Sequence, residues 1–356
     1  MRHELCPGSI AVVGATGAVG LEALGILAEL GVPASRVRAL ASERSAGGTV
    51  AYGSVELSVQ ACDAHAFGGV SAALFCATSD VARELAPVAV AAGAVVVDNS
   101  SAFRMHPQVP LVIPEVNGDL VRASGAQIVA NPNCSTVILL MALSPLRRAF
   151  GVKAVDVATY QAVSGAGQAA IDELHGQVRA WAGGHDVQPR VFREPCAFNV
   201  FSHDSAVNPR DGLNGEERKI IDESRKIWRD DRVRITPTCV RVPVVRAHTQ
   251  AVTVELSRAA TETEVRAALA GAAGVTIVDD RVHNRFPTPL RAAGGNDVLV
   301  GRIRPDPGEP AELGDLHRRW CLLVSADQLR KGAAWNAVQI AALAGCLPEL
   351  QVVCAA

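Results

Sequence analysis

The chain has no surplus of charge of either sign: 34 lysines and arginines stand against 36 aspartates and glutamates, a formal net charge of −2. That balance leaves no basic footprint for nucleic acid and no basic face for an anionic membrane surface. Long apolar runs are missing too. The longest, around Val88 to Val97, falls far short of the roughly 18 residues that a membrane-spanning helix requires. The N-terminus shows no basic segment ahead of a long apolar stretch, because Ile10-Ala11-Val12-Val13 runs straight into Gly14. No Cys-x-x-Cys pair occurs, and the nine cysteines, an odd number, are scattered from Cys6 to Cys354. Neither a disulfide framework nor a zinc site of the usual spacing is indicated, and no metal is expected. Reduced thiols and a cytoplasmic location are the expectation, for a protein that binds neither nucleic acid nor membrane. Internal repeats, low-complexity tracts and long linkers are absent as well.

What is present describes a folded protein: 356 residues, 49% hydrophobic and 20% charged, enough for about two domains. Ile10 to Val13 reads as a short buried strand, Gly14 to Gly20 as a glycine-rich turn, and Leu21 to Leu30 as a helix closed by Gly31 and Pro33. Val37 to Leu40, Ala72 to Cys76 and Val95 to Val97 read as further apolar strands, with a helix over Val81 to Ala92 despite Pro87. Such alternation argues for an α/β fold, a parallel sheet covered by helices on both faces. Beyond Val152 the pattern changes. Val155 to Tyr160 and Gln250 to Leu256 alternate as strands with one covered face do, so a second, α+β domain begins near Asn133. Lys331 to Ala341 reads as a late amphipathic helix able to pack back on the first domain. The expected division is therefore residues 1–132 with 331–356, and residues 133–330.

Gly14-Ala15-Thr16-Gly17-Ala18-Val19-Gly20 lies directly after the first strand and opens the first helix, where a dinucleotide pyrophosphate turn belongs. The spacing is Gly-x-x-Gly-x-x-Gly, so the motif by itself is only moderately specific. At the end of the second strand, where an acidic residue would read a ribose 2′-hydroxyl, the chain offers Ser42-Glu43-Arg44-Ser45. An arginine among serines suits a 2′-phosphate, and so NADP, better than a free hydroxyl; Glu43 is the counter-signal, and a solvated loop arginine is the alternative.

Asn131-Pro132-Asn133-Cys134-Ser135-Thr136 places a thiol where an extended segment turns into a helix. Pro132 keeps Asn131 extended, and Thr136 to Leu143 is an apolar helix that Pro145 helps to end. A sulfur near a helix N-terminus is favoured as thiolate. A thiolate beside a nicotinamide site implies covalent aldehyde chemistry, which also needs a proton shuttle, donors to an oxyanion and cations for the substrate's charges. His248, just ahead of a strand, is one of nine histidines. Gln161 orients a substrate or forms part of a turn; Arg104 is an anion ligand or an ordinary loop residue. Asn214 with Glu217 fits a helix cap, and Glu216 with Lys219 an ion pair, so function is not needed to explain them.

Taken together, Gly14 to Gly20, Ser42 to Gly47, Ser100 to Met105, Asn131 to Thr136, Thr159 to Gly167, Arg241 to His248 and Lys331 to Ala341 resemble the bacterial type of aspartate-semialdehyde dehydrogenase. They occur in that family's order over nearly the whole chain. The resemblance implies a Rossmann-type NADP domain with a second α+β domain for catalysis and dimerisation. It implies reduction of aspartyl β-phosphate by NADPH to aspartate β-semialdehyde and phosphate, at the branch towards lysine and diaminopimelate, methionine and threonine. It further implies Cys134 as the acyl-thioester nucleophile and His248 as acid/base. Gln161 and Arg241 would hold the substrate, the arginine its α-carboxylate; Arg104 and Lys219 the phosphoryl group; Glu216 the amine. Gly14, Thr16, Gly17, Ala18, Val19, Arg44, Ser45, Ser164, Gly165 and Asn336 would line NADP. A homodimer or homotetramer through the second domain is implied as well. The Cys134 N–H and the Asn133 side chain are the candidate oxyanion donors.

Two departures stand out. Thr249-Gln250 follows His248 where the family usually has Ser-Glu, and Phe201-Ser202-His203-Asp204-Ser205 differs from the commoner Pro-His segment; it reads as a polar loop in which His203 has no assigned role. The nearest rival is N-acetyl-γ-glutamyl-phosphate reductase, whose cysteine usually follows Asn-Pro-Gly, whereas Asn133 stands at that glycine position here. A catalytically silent NADP-binding relative is the alternative of another class.

Overall fold

The computed structural model describes residues 8–312 and 314–350. It divides into two compact units, one taking the chain up to Asn133 and again from Ala333, the other spanning Cys134–Gly332.

The first unit is assembled from β1 (Ser9–Val13), α1 (Ala18–Glu29), β2 (Val37–Ala41), β3 (Thr49–Tyr52), β4 (Val55–Ala61), β5 (Val70–Phe75), α2 (Ser79–Ala91), β6 (Val95–Asp98), α3 (Pro114–Asn117), α4 (Asp119–Ala123) and β7 (Ile128–Ala130). Among the described residues these strands form one sheet ordered β3-β4-β2-β1-β5-β6-β7, parallel except at the β3–β4 hairpin. Strand alternation explains why both faces are covered. Ile10 and Val12 point into one apolar cluster with α1, and Ala11 and Val13 into another with Ala82, Ala86 and Ala89 of α2. The order reverses at β1, so the crevice between the ends of β1 and β5 is the switch point where such sheets bind ligands. The α/β reading of this half is therefore borne out, with the β3–β4 hairpin as an element that the sequence reading passed over.

The second unit consists of α5 (Cys134–Phe150), β8 (Val152–Gln161), α6 (Gln168–Ala182), β9 (Phe201–Ser202), α7 (Gly215–Trp228), β10 (Arg234–Arg241), β11 (His248–Ala260), α8 (Glu262–Ala270), β12 (Val275–Ile277), α9 (Pro289–Ala292), β13 (Val298–Pro305) and β14 (His317–Ala326). Its mixed sheet has the order β12-β13-β14-β11-β8-β10-β9. β10 lies parallel to β8, and β11 antiparallel to it. The C-terminal ends of β8 and β10 therefore share one edge of the sheet with the N-terminal end of β11.

Two expectations need correction. Pro145 does not end the helix, which continues to Phe150. A helical proline forfeits one hydrogen bond and crowds the preceding turn, at a cost of about 3 kcal/mol. Burial of Val137 through Leu143 and of Leu146 offsets it, and the stop comes at Gly151 with φ +72°. Nor is Lys331 to Ala341 one amphipathic helix. A widened turn, Arg330–Ala334, leads into α10 (Trp335–Leu343), and residues Trp335 through Ala342 are all buried. α10 lies within the first unit and joins the cluster around Ile10 and Val12.

Candidate active site

Three neighbouring strand ends build the side-chain cluster of the second unit. Gln161 ends β8, Arg241 ends β10 in register with it, and His248 begins β11. Cys134 opens α5, half-buried, with Sγ 3.6 Å from His248 Nε2. His248 itself is fully buried, and its Nδ1 accepts the Ala162 N–H at 3.0 Å. Burial pushes this imidazole down from 6.5 to about 3; Arg241 and His203 push the same way and Glu216 opposes them. Ala247, immediately before it, is held at φ +73° with its N–H donated to Gln328 Oε1 at 2.9 Å, a backbone strain of the kind that clusters at functional sites.

Gln161 is oriented from both ends. Its Oε1 accepts from Thr159 Oγ1 at 3.1 Å and its Nε2 donates to Glu216 Oε1 at 3.1 Å. Glu216 sits in the first turn of α7, where Asn214 and Glu217 form a complete capping box. Lys219 Nζ reaches Glu216 Oε2 at 3.3 Å and remains partly exposed. The cap and the ion pair suggested by spacing are thus both present, and they hold Glu216 against Gln161.

Arg241 is buried, and its guanidinium is almost fully engaged. Nε and Nη2 donate to Asp204 Oδ1 at 3.2 and 2.6 Å, Nη1 donates to Ala162 O at 3.0 Å, and His203 Nε2 stands 2.9 Å from Nη2. Burial would raise the Asp204 carboxyl, but the Arg241 charge and hydrogen bonds bring it below its usual range. Burial likewise lowers the His203 imidazole. The segment Phe201 to Ser205 is therefore more than a polar loop: β9 pairs with β10, setting Phe201 opposite Arg241 and placing His203 and Asp204 on the guanidinium. No local pattern marks that pairing in the sequence.

Two glycines make room for the pair. A side chain at Gly165 would press on His248 Cε1 and Nε2 at 3.2 and 3.3 Å, and one at Gly332 would meet Cys134 Cβ at 2.8 Å. Gly332 falls within the Lys331 to Ala341 segment, but no motif gives it a role of its own, and only its packing against Cys134 reveals one. Ser164 is hydrogen-bonded by Gln328. Gln250 is buried in β11 and donates to Ser135 O in the first turn of α5 at 2.8 Å, a bond that an ionised glutamate could not make.

In the first unit the site is largely backbone. Gly14 has φ +81°, and a Cβ there would lie 2.5 Å from Cys76 O. Gly14 and Ala15 donate to Leu40 O at 2.8 and 3.0 Å, tying the turn to the end of β2. Thr16 and Gly17 are exposed, Gly17 is the cap of α1, and Ala18 and Val19 form its first turn. Arg44, exposed, and Ser45 belong to a short turn beyond β2. Arg104 is buried and donates to Asn99 O at 2.7 Å. Asn133 is buried next to Cys134 in sequence. Asn336 is fully buried at the start of α10 and donates from its amide nitrogen to Asn131 Oδ1 at 2.6 Å and Val112 O at 3.0 Å.

Comparison with known proteins gives this arrangement its relatives. Residues 9–124 match the family model of the semialdehyde dehydrogenase NAD binding domain, and residues 143–331 that of the semialdehyde dehydrogenase dimerisation domain. The aspartate-semialdehyde dehydrogenase of a Synechocystis species is 44% identical over 337 residues, covering 95% of this chain and 97% of its own. That of Bacillus subtilis is 42% identical over 341 residues, covering 93% and 96%. The crystal structure of aspartate-semialdehyde dehydrogenase II from Vibrio cholerae, complexed with ASA, is similar with a TM-score of 0.87 at 40% identity, covering 94% of this chain and 97% of that one. The chain belongs to the aspartate-semialdehyde dehydrogenase family.

Proposed function

We propose that the protein reduces aspartyl β-phosphate with NADPH to aspartate β-semialdehyde and phosphate, through an acyl thioester on Cys134. The observation that carries this reading is the half-buried thiol at the first position of α5, 3.6 Å from an imidazole, in a chain of this family. The Cys134 sulfur adds to the acyl carbon and phosphate leaves. The Cys134 N–H and Asn133 are the donors to the oxyanion. Gln161, fixed between Thr159 and Glu216, orients the acyl group, and Glu216 takes the substrate amine. Arg241 takes the α-carboxylate, with Asp204 and His203 setting the plane of its guanidinium. Lys219 and Arg104 are the cations for the phosphoryl group.

The residues of the first unit fit a nicotinamide dinucleotide. A Cβ at Gly17 would meet nothing nearer than 3.4 Å, so packing within the protein does not demand glycine there, whereas a pyrophosphate against the start of α1 does. Gly14, Thr16, Gly17, Ala18 and Val19 hold the pyrophosphate, and Arg44 with Ser45 the 2′-phosphate that distinguishes NADP. Ser164 and Gly165 are assigned to the same cofactor. Asn336, whose amide nitrogen donates to Asn131 Oδ1, is assigned to the cofactor as well. Bound, the cofactor supplies the hydride. The second unit also oligomerises the protein as a homodimer or homotetramer; the match to a dimerisation domain and the exposed Tyr160 on β8 support that reading. A cytoplasmic enzyme of lysine, methionine and threonine biosynthesis is the setting we infer.

Phosphate-dependent reduction of NADP, measured with aspartate semialdehyde and with N-acetylglutamate semialdehyde, tests the proposal. Turnover of the first and its loss in Cys134→Ala, by about 10⁴-fold or more, is expected. Turnover of the acetylated substrate alone would replace this reading by the reductase, and NADP binding without turnover of either would make the protein a silent relative.

A further inference from the structure

The guanidinium that ends β10 has few hydrogens to spare for a ligand. Arg241 Nε and Nη2 both donate to Asp204 Oδ1, at 3.2 and 2.6 Å, Nη2 also faces His203 Nε2 at 2.9 Å, and Nη1 donates to Ala162 O at 3.0 Å. Among the described residues these contacts take up four of the five N–H groups of the fork. A carboxylate is gripped by two parallel N–H bonds from one edge of such a fork. Asp204 covers the Nε–Nη2 edge, and His203 takes the other Nη2 hydrogen from the outer edge. Neither edge therefore offers a pair to a second carboxylate, and one contact has to yield before a substrate carboxylate is gripped at two points.

The three neighbours differ in how firmly they are held. Ala162 O is the peptide carbonyl of a fully buried residue. His203 has a side chain only 10% exposed and donates its own backbone N–H to Cys239 O of β10 at 2.9 Å. Its Nδ1 lies 3.1 Å from Ser205 Oγ, which accepts the Glu216 N–H at 3.0 Å. Asp204 stands beyond the end of the two-residue β9, and its side chain is 32% exposed against 2% for the arginine that it meets. Its carboxylate can pass to water, whereas the guanidinium would lose its partners on leaving. The ring of Phe192, 5.3 Å from Cζ, lies over the guanidinium and with Ala162 and His203 keeps it in place when Asp204 turns away.

We propose that Asp204 is an internal stand-in for the substrate's α-carboxylate: it occupies the Nε–Nη2 edge of Arg241 in the empty site and turns out to water when the substrate carboxylate takes that edge. The proposal rests on the reading of Arg241 as the clamp for that group. It goes beyond that reading because Asp204 lies in Phe201 to Ser205, the segment in which this chain departs from the commoner family pattern. In the empty site the buried guanidinium thus keeps a counter-charge and its plane, and in the loaded site one carboxylate has replaced another. Substrate binds more weakly than the clamp alone would allow, since only the molecules with Asp204 turned out are competent to receive it.

Asp204→Asn in the full-length protein keeps the shape of the side chain and removes its charge. KM for aspartate semialdehyde should fall about tenfold, with KM for NADP and for phosphate unmoved. The dissociation constant of L-aspartate, which carries the same amine and α-carboxylate with no aldehyde to react, should fall by the same factor in calorimetry. Unchanged or raised values would show that Asp204 only sets the plane of Arg241, and an equal fall for NADP and phosphate would show a general loosening; either result overturns the proposal. A crystal structure of the wild type with L-aspartate tests it whether or not the variant folds. The ligand's α-carboxylate should lie on Arg241 Nε and Nη2 with the Asp204 carboxylate more than about 4 Å away, and both carboxylates on the guanidinium together would contradict it. A wild type that does not turn over aspartate semialdehyde is the separate failure of the functional reading, which the semialdehyde assay detects.

Discussion

In the first unit the candidate binding surface is a turn of backbone, seven consecutive residues from Gly14 to Gly20 anchored on Leu40 O. In the second, the reactive cluster is made of side chains carried by α5, β8, α7, β10, β11 and the segment after β9, brought together by one edge of a mixed sheet. Backbone donors need only small residues and a helix start, so one local motif specifies them. Side-chain donors need each neighbour to be held by another: Gln161 by Thr159 and Glu216, Arg241 by Asp204, His248 by Ala162. A surface of the first kind should lose affinity by increments when a contact is removed, while a cluster of the second kind should lose chemistry when its geometry shifts.

The sharpest way to break that contrast is Gly332→Ala, which puts a methyl group where Cys134 Cβ already lies 2.8 Å away. A displacement of the sulfur by about 1 Å is enough to cost about 10²-fold in kcat. Steady-state kinetics with aspartate semialdehyde should show that fall in kcat with KM for NADP little changed. An unaltered kcat would mean that the thiol site absorbs shifts as the backbone turn does. A smaller effect is expected from Arg44→Ala, which removes one charge-assisted contact worth about 1.5 kcal/mol and so raises KM for NADP about tenfold, with KM for NAD unmoved. Equal changes for both cofactors would show that Arg44 does not read the 2′-phosphate.

The same contrast explains which parts could be read from the chain. Strand, turn and helix at residues 10–30 are contiguous, and the apolar runs of a buried parallel sheet are conspicuous; they led directly to the α/β architecture seen. The β3–β4 hairpin escaped because it sits at the sheet edge, where Val50 and Tyr52 alternate with exposed Thr49 and Ala51 and no apolar run forms. Pro145 misled because its local cost is plain and the burial that outweighs it is tertiary. Cys134 was conspicuous through its own turn. His203 and Asp204 were not, since their relation to Arg241 depends on strand register across 37 and 38 residues of chain. Gly332 carries no motif that distinguishes it, because what it does is leave space. Thr249-Gln250 is a clear departure in sequence, and the structure gives it a meaning: an amide donating to the turn that carries the thiol.

The proposed reaction turns on Cys134 becoming acylated. The most direct measurement is the mass of the peptide containing Cys134 after the protein is mixed with aspartate semialdehyde and NADP in the absence of phosphate and quenched in acid. An aspartyl adduct on Cys134 that disappears when phosphate is added before the quench is the predicted result. Full turnover with Cys134 unmodified, or the same adduct mass in Cys134→Ala, would contradict it.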